Sequence, residues 1–278
     1  METALVQKRR IRGPVGAGLF YPDDRKELME YLKSFDLEES AGGNAQAIIA
    51  PHGAWSYSGS LAARAFSSAI GRKRKINRVV ILGPIHDKRE KGIFLSNSHY
   101  FYTPLGNIPV DTEISEELEF NSEHIEINDI PHLGEHSIEI ILPFVKYCFP
   151  RASIIPVLMG QPDNFFIRDL AKALKTVITP ILDETLIVVS CNLSCDNDSA
   201  NARFLAQECL RLFSEKDANA LASAILDGKL NACGGALVVS LFESGLLRKT
   251  KTCLKDDNMV SAVDAENNTV FYSEVSFI

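Results

Sequence analysis

The sequence predicts an α/β fold in which helices cover both faces of a mixed or mostly parallel central sheet. Short apolar runs alternate with longer segments whose apolar side chains recur at helical spacing. Strands buried on both faces are continuous apolar runs, and their alternation with helices is typical of a three-layer domain. No Pro/Ser-rich linker, repeat or low-complexity tract divides the chain. We therefore expect a single α/β domain over residues 1–278.

The elements follow from these patterns. The predicted strands are residues 47–50, 79–82, 93–95, 154–159, 186–189 and 269–277. The predicted helices are residues 25–35, 60–70, 111–119, 137–149, 166–178, 202–213, 218–226 and 236–245. An aspartate before the first helix, Asp23 or Asp24, is expected to cap it. Residues 52–60 are expected to form a loop whose serine hydroxyls either bind a ligand or cap the next helix.

Composition and charge narrow the function classes. The 278 residues are 46% hydrophobic and carry 29 Lys and Arg against 36 Asp and Glu, a formal charge of −7. This acidic balance disfavours a nucleic-acid partner, which needs a basic field. No uncharged apolar run approaches the roughly 18 residues of a membrane span, and no apolar stretch follows the basic N-terminus as in a signal peptide. We expect a cytoplasmic protein with reduced thiols and no membrane partner.

Polar side chains follow three of the predicted strands. His52 comes after the first central strand, His86 after the second, and a Ser/Cys/Asn-rich loop over residues 190–195 follows another. Ligands of open α/β sheets bind outside the carboxyl ends of the strands. Imidazole is a common ligand of iron, copper and zinc, so the two histidines are candidates to share one ion. Alternatively, each histidine is hydrogen-bonded within its loop.

Cys233 is the cysteine with a special local setting. It precedes Gly234, Gly235 and a predicted helix. A helix N-terminus lowers the pKa of a thiol and favours the thiolate, which is both a nucleophile and a metal ligand. The alternative is a buried small apolar residue, which is the usual environment of a free cysteine.

Two other motifs resemble known metal or redox sites without matching them. His132-x-x-Glu135-His136 has the order of an inverted zinc-protease motif, which requires a helix through all five residues, and Pro131 and Gly134 disfavour that helix. The pair Cys191-x-x-x-Cys195 lacks the second pair of a zinc finger. Its three-residue spacing also differs from the two residues of a thioredoxin-type site.

Seven segments, taken in order, resemble the Memo family, also named AmmeMemoRadiSam system protein B. They are AGLFYPDD, IIAPHGAWSYSGSLAARAF, VVILGPIHD, TPLGNIPVD, HLGEHSIEIILPF, IIPVLMG and the pair Cys233-Gly234. The second segment resembles the family pattern A-P-H-A-G, but Gly53 and Ala54 are swapped relative to it. The resemblance covers nearly the whole chain.

The resemblance implies a fold similar to class III extradiol dioxygenases, which use non-heme iron. In Memo-like proteins two histidines and a cysteine line the corresponding pocket, and here these are His52, His86 and Cys233. Imidazole and thiolate donors suit transition metals better than magnesium or calcium. We expect Fe(II) or copper, with zinc a weaker candidate. His136, Trp55, Tyr57, Asn192 and Cys195 are further candidates for the pocket and its surroundings.

The chain departs from the family at one motif. The usual pattern S-S-D-[LF]-[SC]-H is Ser190-Cys191-Asn192-Leu193-Ser194-Cys195 here. An aspartate is replaced by Asn192, and a histidine that serves as an acid–base group in the dioxygenase relatives is replaced by Cys195. A neutral thiol is a poor proton-transfer group for ring cleavage.

Three functions follow from these observations. The first is metal handling, redox chemistry or partner binding at a metal site formed by the two histidines and the cysteine, and catalysis is not part of this prediction. The alternative is a dioxygenase-like oxidoreductase acting on a small aromatic substrate. The third is a pocket that binds a small molecule or a peptide, including a phosphopeptide, without metal.

The six cysteines are not expected to form a disulfide framework in a chain of this length. We interpret Cys148, Cys209 and Cys253 as packing residues. A redox bridge between any two of Cys191, Cys195 and Cys233 is left open by the sequence.

Overall fold

An eight-stranded mixed sheet forms the centre of the fold. The computed structural model describes residues 9–35, 37, 43–254 and 259–278. Its strands are β1 (Ile11–Arg12), β2 (Ala47–Ala50), β3 (Arg78–Pro84), β4 (Ile93–Leu95), β5 (Tyr100–Phe101), β6 (Ile108–Pro109), β7 (Ile125–Ile127), β8 (Ser153–Met159), β9 (Thr185–Ser190), β10 (Ser194–Asp196), β11 (Thr252–Cys253), β12 (Val260–Val263), β13 (Thr269–Tyr272) and β14 (Val275–Phe277).

Nine α-helices lie in the same described ranges. They are α1 (Arg25–Ser34), α2 (Trp55–Ser67), α3 (Thr112–Phe120), α4 (Ile130–Gly134), α5 (Leu142–Cys148), α6 (Asn164–Ile178), α7 (Ser199–Glu215), α8 (Ala218–Leu226) and α9 (Gly235–Ser244). Short 3-10 helices lie at Ile70–Arg72, Glu139–Ile141 and Thr179–Glu184. Among the residues described, none of the helices combines the length and the apolar character needed to cross a bilayer.

The sheet is parallel at its centre and mixed at its edges. The strand order is β11-β14-β2-β9-β3-β8-β4-β7. Strands β2, β9, β3 and β8 run parallel, whereas β14 and β4 pair antiparallel on either side of them. Because β9 lies between β2 and β3, the carboxyl ends of these three strands meet at one edge. Two smaller sheets, β1-β5-β6 and β10-β13-β12, lie outside the central one.

Both faces of the central sheet are buried, which confirms the predicted α/β class. In β2, Ile48 and Ala50 pack into a core shared with α1, α2 and α5. Ala47 and Ile49 point to the opposite face and pack into a core shared with α3, α6, α7 and α9. Successive side chains of a strand alternate between faces. An uninterrupted apolar run is therefore what a strand between two helical layers requires.

Local capping follows the sequence in the first helix. The Asp24 carboxylate accepts hydrogen bonds from the backbone N–H groups of Lys26 and Glu27, both at 2.9 Å, so the second of the two expected caps is confirmed. These bonds satisfy two of the donors that a helix leaves free at its first turn.

The prediction of a loop over residues 52–60 is wrong from Trp55 onward, because α2 begins there. Its serines and Gly59 disfavour a helix by intrinsic propensity. However, a Cβ on Gly59 would lie 2.6 Å from Cζ of Phe35, so this turn of the helix packs where only glycine fits. Tertiary packing therefore outweighs the local preference.

The single strand predicted over residues 269–277 is two strands. β13 pairs with β10 and β12 in a small sheet, whereas β14 pairs with β2 and β11 in the central sheet. The predicted helix over residues 137–149 is also divided, into the 3-10 helix Glu139–Ile141 and α5.

A buried ion pair ties the N-terminal segment to the chain before α5. Arg12 pairs with Glu139, and both side chains are almost fully buried. Glu139 also accepts hydrogen bonds from the backbone N–H groups of Val15 and Gly16, both at 2.7 Å, and from the Tyr21 hydroxyl at 2.9 Å. Buried charges are tolerated when they are paired and fully hydrogen-bonded, as this carboxylate is.

Replacing Glu139 with glutamine should destabilise the fold strongly, because the Arg12 guanidinium then stays buried without its counter-charge. We expect the free energy of unfolding to fall by about 3–5 kcal/mol in a urea titration at pH 7. A matched control is Glu215→Gln, which removes an exposed partner of Arg211. Exposed pairs contribute little, so the control should change stability far less. Equal losses in the two variants would contradict this account of the buried pair.

Candidate metal centre

His52, His86 and Cys233, the three ligands expected from the sequence, lie together at one edge of the central sheet. His52 lies two residues after β2, His86 two residues after β3, and Cys233 two residues before α9. One ligand atom from each of these residues lies within 4.8 Å of the other two. The two imidazole rings are 5.2 Å apart between centroids and nearly perpendicular, at 73°. The structure therefore brings together three residues that are distant in the sequence, in an arrangement that could hold a metal ion.

The protonation of His52 is set by a hydrogen-bond chain. The Ser190 hydroxyl donates to the backbone carbonyl oxygen of Ser137 at 2.7 Å, so its single hydrogen is used there. Ser190 Oγ must then accept from Nδ1 of His52, which lies 2.7 Å away. Nδ1 of His52 consequently carries a proton, which leaves Nε2, 3.5 Å from Sγ of Cys233, as the ring nitrogen that faces the site. Nε2 is the atom available to a metal.

Glu135 fixes His86 in the same way. Its buried carboxylate accepts from Nδ1 of His86 at 2.9 Å and from the His86 backbone N–H at 2.7 Å. It also accepts from the backbone N–H groups of His136 and Ser137, both at 2.8 Å. Partial burial favours a neutral His86, but hydrogen bonds with Cys233 and Glu135 outweigh it and raise the pKa of His86 to about 10. Burial would raise the pKa of Glu135, yet its contacts with His86 lower it to about 2.

A carboxylate on Nδ1 of a metal-binding histidine is a common supporting contact. It fixes the tautomer and the ring orientation and raises the basicity of Nε2. Glu135 therefore directs Nε2 of His86 into the site as Ser190 directs that of His52. A metal ion would replace the proton that the raised pKa leaves on Nε2 of His86.

Cys233 has the environment of a thiolate. The Cys191 thiol donates to it, and together with the neighbouring His52 and His86 this lowers the pKa of Cys233 well below its usual range despite burial. The backbone N–H of Asn192 also donates to Sγ of Cys233, at 3.2 Å. Conversely, the contact with Cys233 and complete burial raise the pKa of Cys191, which remains a thiol. A thiolate is the form of cysteine that binds metals.

His136 flanks the site as a neutral imidazole. Its ring stacks between Phe20, at a centroid distance of 4.8 Å, and His86, at 4.7 Å, with an interplanar angle of 16° to each. Burial outweighs the attraction of Glu135 and lowers the pKa of His136 to about 4. His136 also belongs to a second group of ligand-type atoms within 4.8 Å of one another, with His86 and Glu135.

The remaining predicted residues differ in their contacts and exposure, and Asn192 is the one that contacts a residue of the cluster directly. The Asn192 side chain accepts from the His52 backbone N–H at 3.1 Å. Cys195 is half-buried on β10, and its Sγ lies 3.7 Å from a carboxylate oxygen of Asp264. Trp55 is 2% exposed and packs in an aromatic cluster with Phe144, at 4.4 Å between ring centroids. Tyr57 is 49% exposed on the first turn of α2.

Two contacts of the site were not expected from the sequence. The first is the pairing of Ser190 and Glu135 with the histidines, since neither residue is near its partner in the chain. The second involves Gly53, where a Cβ would lie 2.8 Å from the Tyr272 ring. The family pattern has alanine at this position, so the swap of Gly53 and Ala54 leaves room here for the Tyr272 ring. For the pairing with Glu135, the sequence signal is that Glu135 lies in the family-like segment HLGEHSIEIILPF.

The inverted zinc-protease interpretation of His132, Glu135 and His136 is wrong. Helix α4 ends at Gly134, and Glu135 has an extended backbone, with φ −88° and ψ 133°. His132 points away from the cluster into the core, where its Nε2 lies 3.1 Å from the carbonyl oxygen of Phe94. The five residues therefore do not present both histidines on one helix face.

Comparison with known proteins adds an independent observation. The family model described as Memo-like protein matches residues 12–275 of this chain. The chain belongs to the Memo family. This confirms the family expected from the seven segments.

Curated relatives of this Memo-family chain span almost its full length. A MEMO1 family protein of Thermotoga neapolitana is 30% identical over 247 residues, which cover 84% of this chain and 88% of the relative. One of Thermoplasma volcanium is 26% identical over 268 residues, covering 95% and 97%. One of Methanobrevibacter smithii is 29% identical over 252 residues, covering 86% and 89%.

His132 should make stability depend on pH. Burial outweighs the favourable hydrogen bond to Phe94 and lowers the pKa of His132 to about 4, below the roughly 6.5 of an unfolded chain. The neutral ring therefore stabilises the fold fully above pH 6.5, and this contribution is lost as the pH falls towards 4. The loss over that window is about 3 kcal/mol.

Urea titrations of the chelator-treated protein from pH 7 to 4.5 test this. His132→Gln retains an amide donor for Phe94 but cannot titrate, so its stability should fall less steeply than that of the wild type. His136 and the carboxylates contribute to both proteins, so the difference between the two slopes isolates His132. Parallel slopes would show that His132 does not control this pH dependence.

Proposed function

We propose that this Memo-family protein binds one transition-metal ion, Fe(II) or copper, through Nε2 of His52, Nε2 of His86 and Sγ of Cys233. Its role would be metal or redox handling, in the cytoplasm, where reducing conditions keep the cysteine ligand available. The observation that carries the proposal is the preset orientation of the three donor side chains. Both Nδ1 atoms are engaged by Ser190 and Glu135, which leaves Nε2 of each ring facing Sγ of Cys233, and the three residues offer ligand atoms within 4.8 Å of one another.

The donor set decides the class of metal. Two imidazoles and a thiolate suit iron, copper and zinc, whereas magnesium and calcium prefer oxygen ligands. Three protein ligands leave a coordination position open, as in catalytic rather than structural metal sites. A bound iron or copper ion would supply Lewis-acid and one-electron redox chemistry at that open position. The part of this chain is to hold the ion and to keep both imidazoles in the ligating tautomer.

Ring cleavage of a small aromatic is the weaker candidate function. It requires a proton-transfer group beside the metal. Cys195 stands at the family's histidine position, but its Sγ faces Asp264, and burial together with that carboxylate raises its pKa. His136 is the neutral imidazole that does lie beside the cluster, stacked on His86.

Metal content tests the proposal directly. Chelator-treated protein is loaded anaerobically with Fe(II), Cu(I) or Zn(II), desalted and analysed by mass spectrometry of the metals. We expect about one ion per chain in the wild type and almost none in Cys233→Ala or His52→Ala, since each removes one of three ligands.

The controls are Cys253→Ala, an exposed thiol, and His124→Ala, whose ring pairs with Asp169 instead. Both should retain the metal of the wild type. Equal metal content in wild type and Cys233→Ala would overturn the proposal, and circular dichroism of each variant distinguishes ligand loss from unfolding.

Glu135 should tune the affinity without being a ligand. Glu135→Gln keeps an acceptor for the backbone N–H groups but removes the charge that holds Nδ1 of His86 protonated. Loss of such a supporting contact weakens metal binding by roughly 10- to 100-fold. Competition with a chromophoric chelator measures this, and Glu113→Gln, an exposed glutamate on α3, is the control. Unchanged affinity in Glu135→Gln would show that His86 needs no orienting carboxylate.

A further inference from the structure

We propose that Cys191 and Cys233 form a reversible disulfide that removes Cys233 from the metal site. The release of metal rests on the proposed function, whereas the formation of the disulfide rests only on the positions of the two thiols. The sequence left three cysteine pairings open, and the geometry points to one of them.

The two sulfur atoms share a close neighbour. Sγ of Cys191 lies 3.3 Å and Sγ of Cys233 lies 3.8 Å from the same carbonyl oxygen, that of Asn192. Two side chains that approach one oxygen atom this closely can bring their sulfur atoms together by rotation about their side-chain bonds, as a disulfide requires.

Gly234 allows this close approach. A Cβ at position 234 would lie 2.7 Å from Cβ of Cys191 and would collide with the carbonyl oxygen of Ser190. Because glycine has no Cβ, the backbone that leads into α9 lies directly on the end of β9. This places Cys233 over Cys191.

The other pairings are disfavoured by their surroundings. Sγ of Cys195 is directed to Asp264, at 3.7 Å, in the small sheet. Cys209 is fully buried on α7, and burial raises its pKa well above the usual value, so it is a poor nucleophile. Moreover, Cys191 stands where the usual family pattern has serine, so the second thiol is a feature of this chain rather than of the family pattern.

Exposure assigns different roles to the two thiols. Cys233 is half-buried and accessible from the site, whereas Cys191 is fully buried. The oxidant, a hydroperoxide, therefore meets Cys233 first. The Cys233 thiolate attacks the peroxide, the O–O bond breaks, and a sulfenic acid forms on Cys233 as hydroxide or alkoxide leaves.

The second step closes the disulfide. The Cys191 sulfur attacks the Cys233 sulfur, an S–S bond forms, and the S–O bond breaks. The departing hydroxide takes the proton of the Cys191 thiol and leaves as water. Two thiols are oxidised and one peroxide is reduced, so atoms and electrons balance. A thiol reductant reverses the change.

The experiment treats chelator-stripped protein with hydrogen peroxide and reads the intact mass and the non-reduced peptide map. We expect the wild type to lose about 2 Da, to yield a peptide pair joined through Cys191 and Cys233, and to recover its mass with dithiothreitol. Cys191→Ser carries the residue usual in the family and should instead gain oxygen on Cys233, progressing to forms that dithiothreitol does not reverse. Cys209→Ser should behave as the wild type.

A second arm uses metal-loaded protein and a chelating dye. Peroxide should release the metal from both proteins, and dithiothreitol should restore binding in the wild type but not in Cys191→Ser. A wild-type bridge through Cys195 or Cys209, or only oxygen adducts on Cys233, would overturn the proposed disulfide. Because the first arm needs no metal, a failure of the metal site leaves the disulfide result readable. Likewise, a missing disulfide leaves the metal content unaffected.

Discussion

The buried pair of Arg12 and Glu139 is the interaction on which the site depends. Glu139 receives hydrogen bonds from the segment that contains Val15 and Gly16, and Arg12 donates to the backbone carbonyl oxygens of His132 and Glu135, at 3.0 and 2.5 Å. The pair thus clamps the stretch that carries Glu135 and His136 against the N-terminal segment. Without these contacts, the stretch that carries Glu135 and His136 would be held less firmly beside the sheet edge, because loops are generally more mobile than the elements they connect.

The stretch that contains Glu135 and Ser137 determines the hydrogen bonds of both histidines. The Ser137 carbonyl oxygen takes the only hydrogen of Ser190, which makes Ser190 an acceptor for His52. The neighbouring carboxylate of Glu135 does the same for His86. Two separate hydrogen-bond chains therefore produce the same outcome, a ring whose Nδ1 is engaged and whose Nε2 faces the site, and both originate within three residues. The ring orientations are consequences of the fold rather than of any contact between the histidines.

The sequence predicts the scaffold and the candidate ligands better than the residues that hydrogen-bond to those ligands. His52 and His86 were found because each follows an uninterrupted apolar strand, and strand ends are where α/β sheets bind ligands. Cys233 became a candidate through its position before a helix and through the family resemblance. The hydrogen-bond partners of the histidines cannot be predicted from the sequence, because Ser190 lies 138 residues from His52 and Glu135 lies 49 residues from His86. Likewise, α2 begins earlier than its serines suggest because burial against Phe35 overrides propensity.

The site is assembled from parts of the chain that meet only when the central sheet is complete. His52 and Cys233 are 181 residues apart, and β9, which comes late in the sequence, is inserted between β2 and β3. Under the proposed function, an ion held by these residues would act as a cross-link that closes long loops of the chain. Its affinity would then also contribute to the free energy of folding, so the folded fraction would rise with the concentration of free metal.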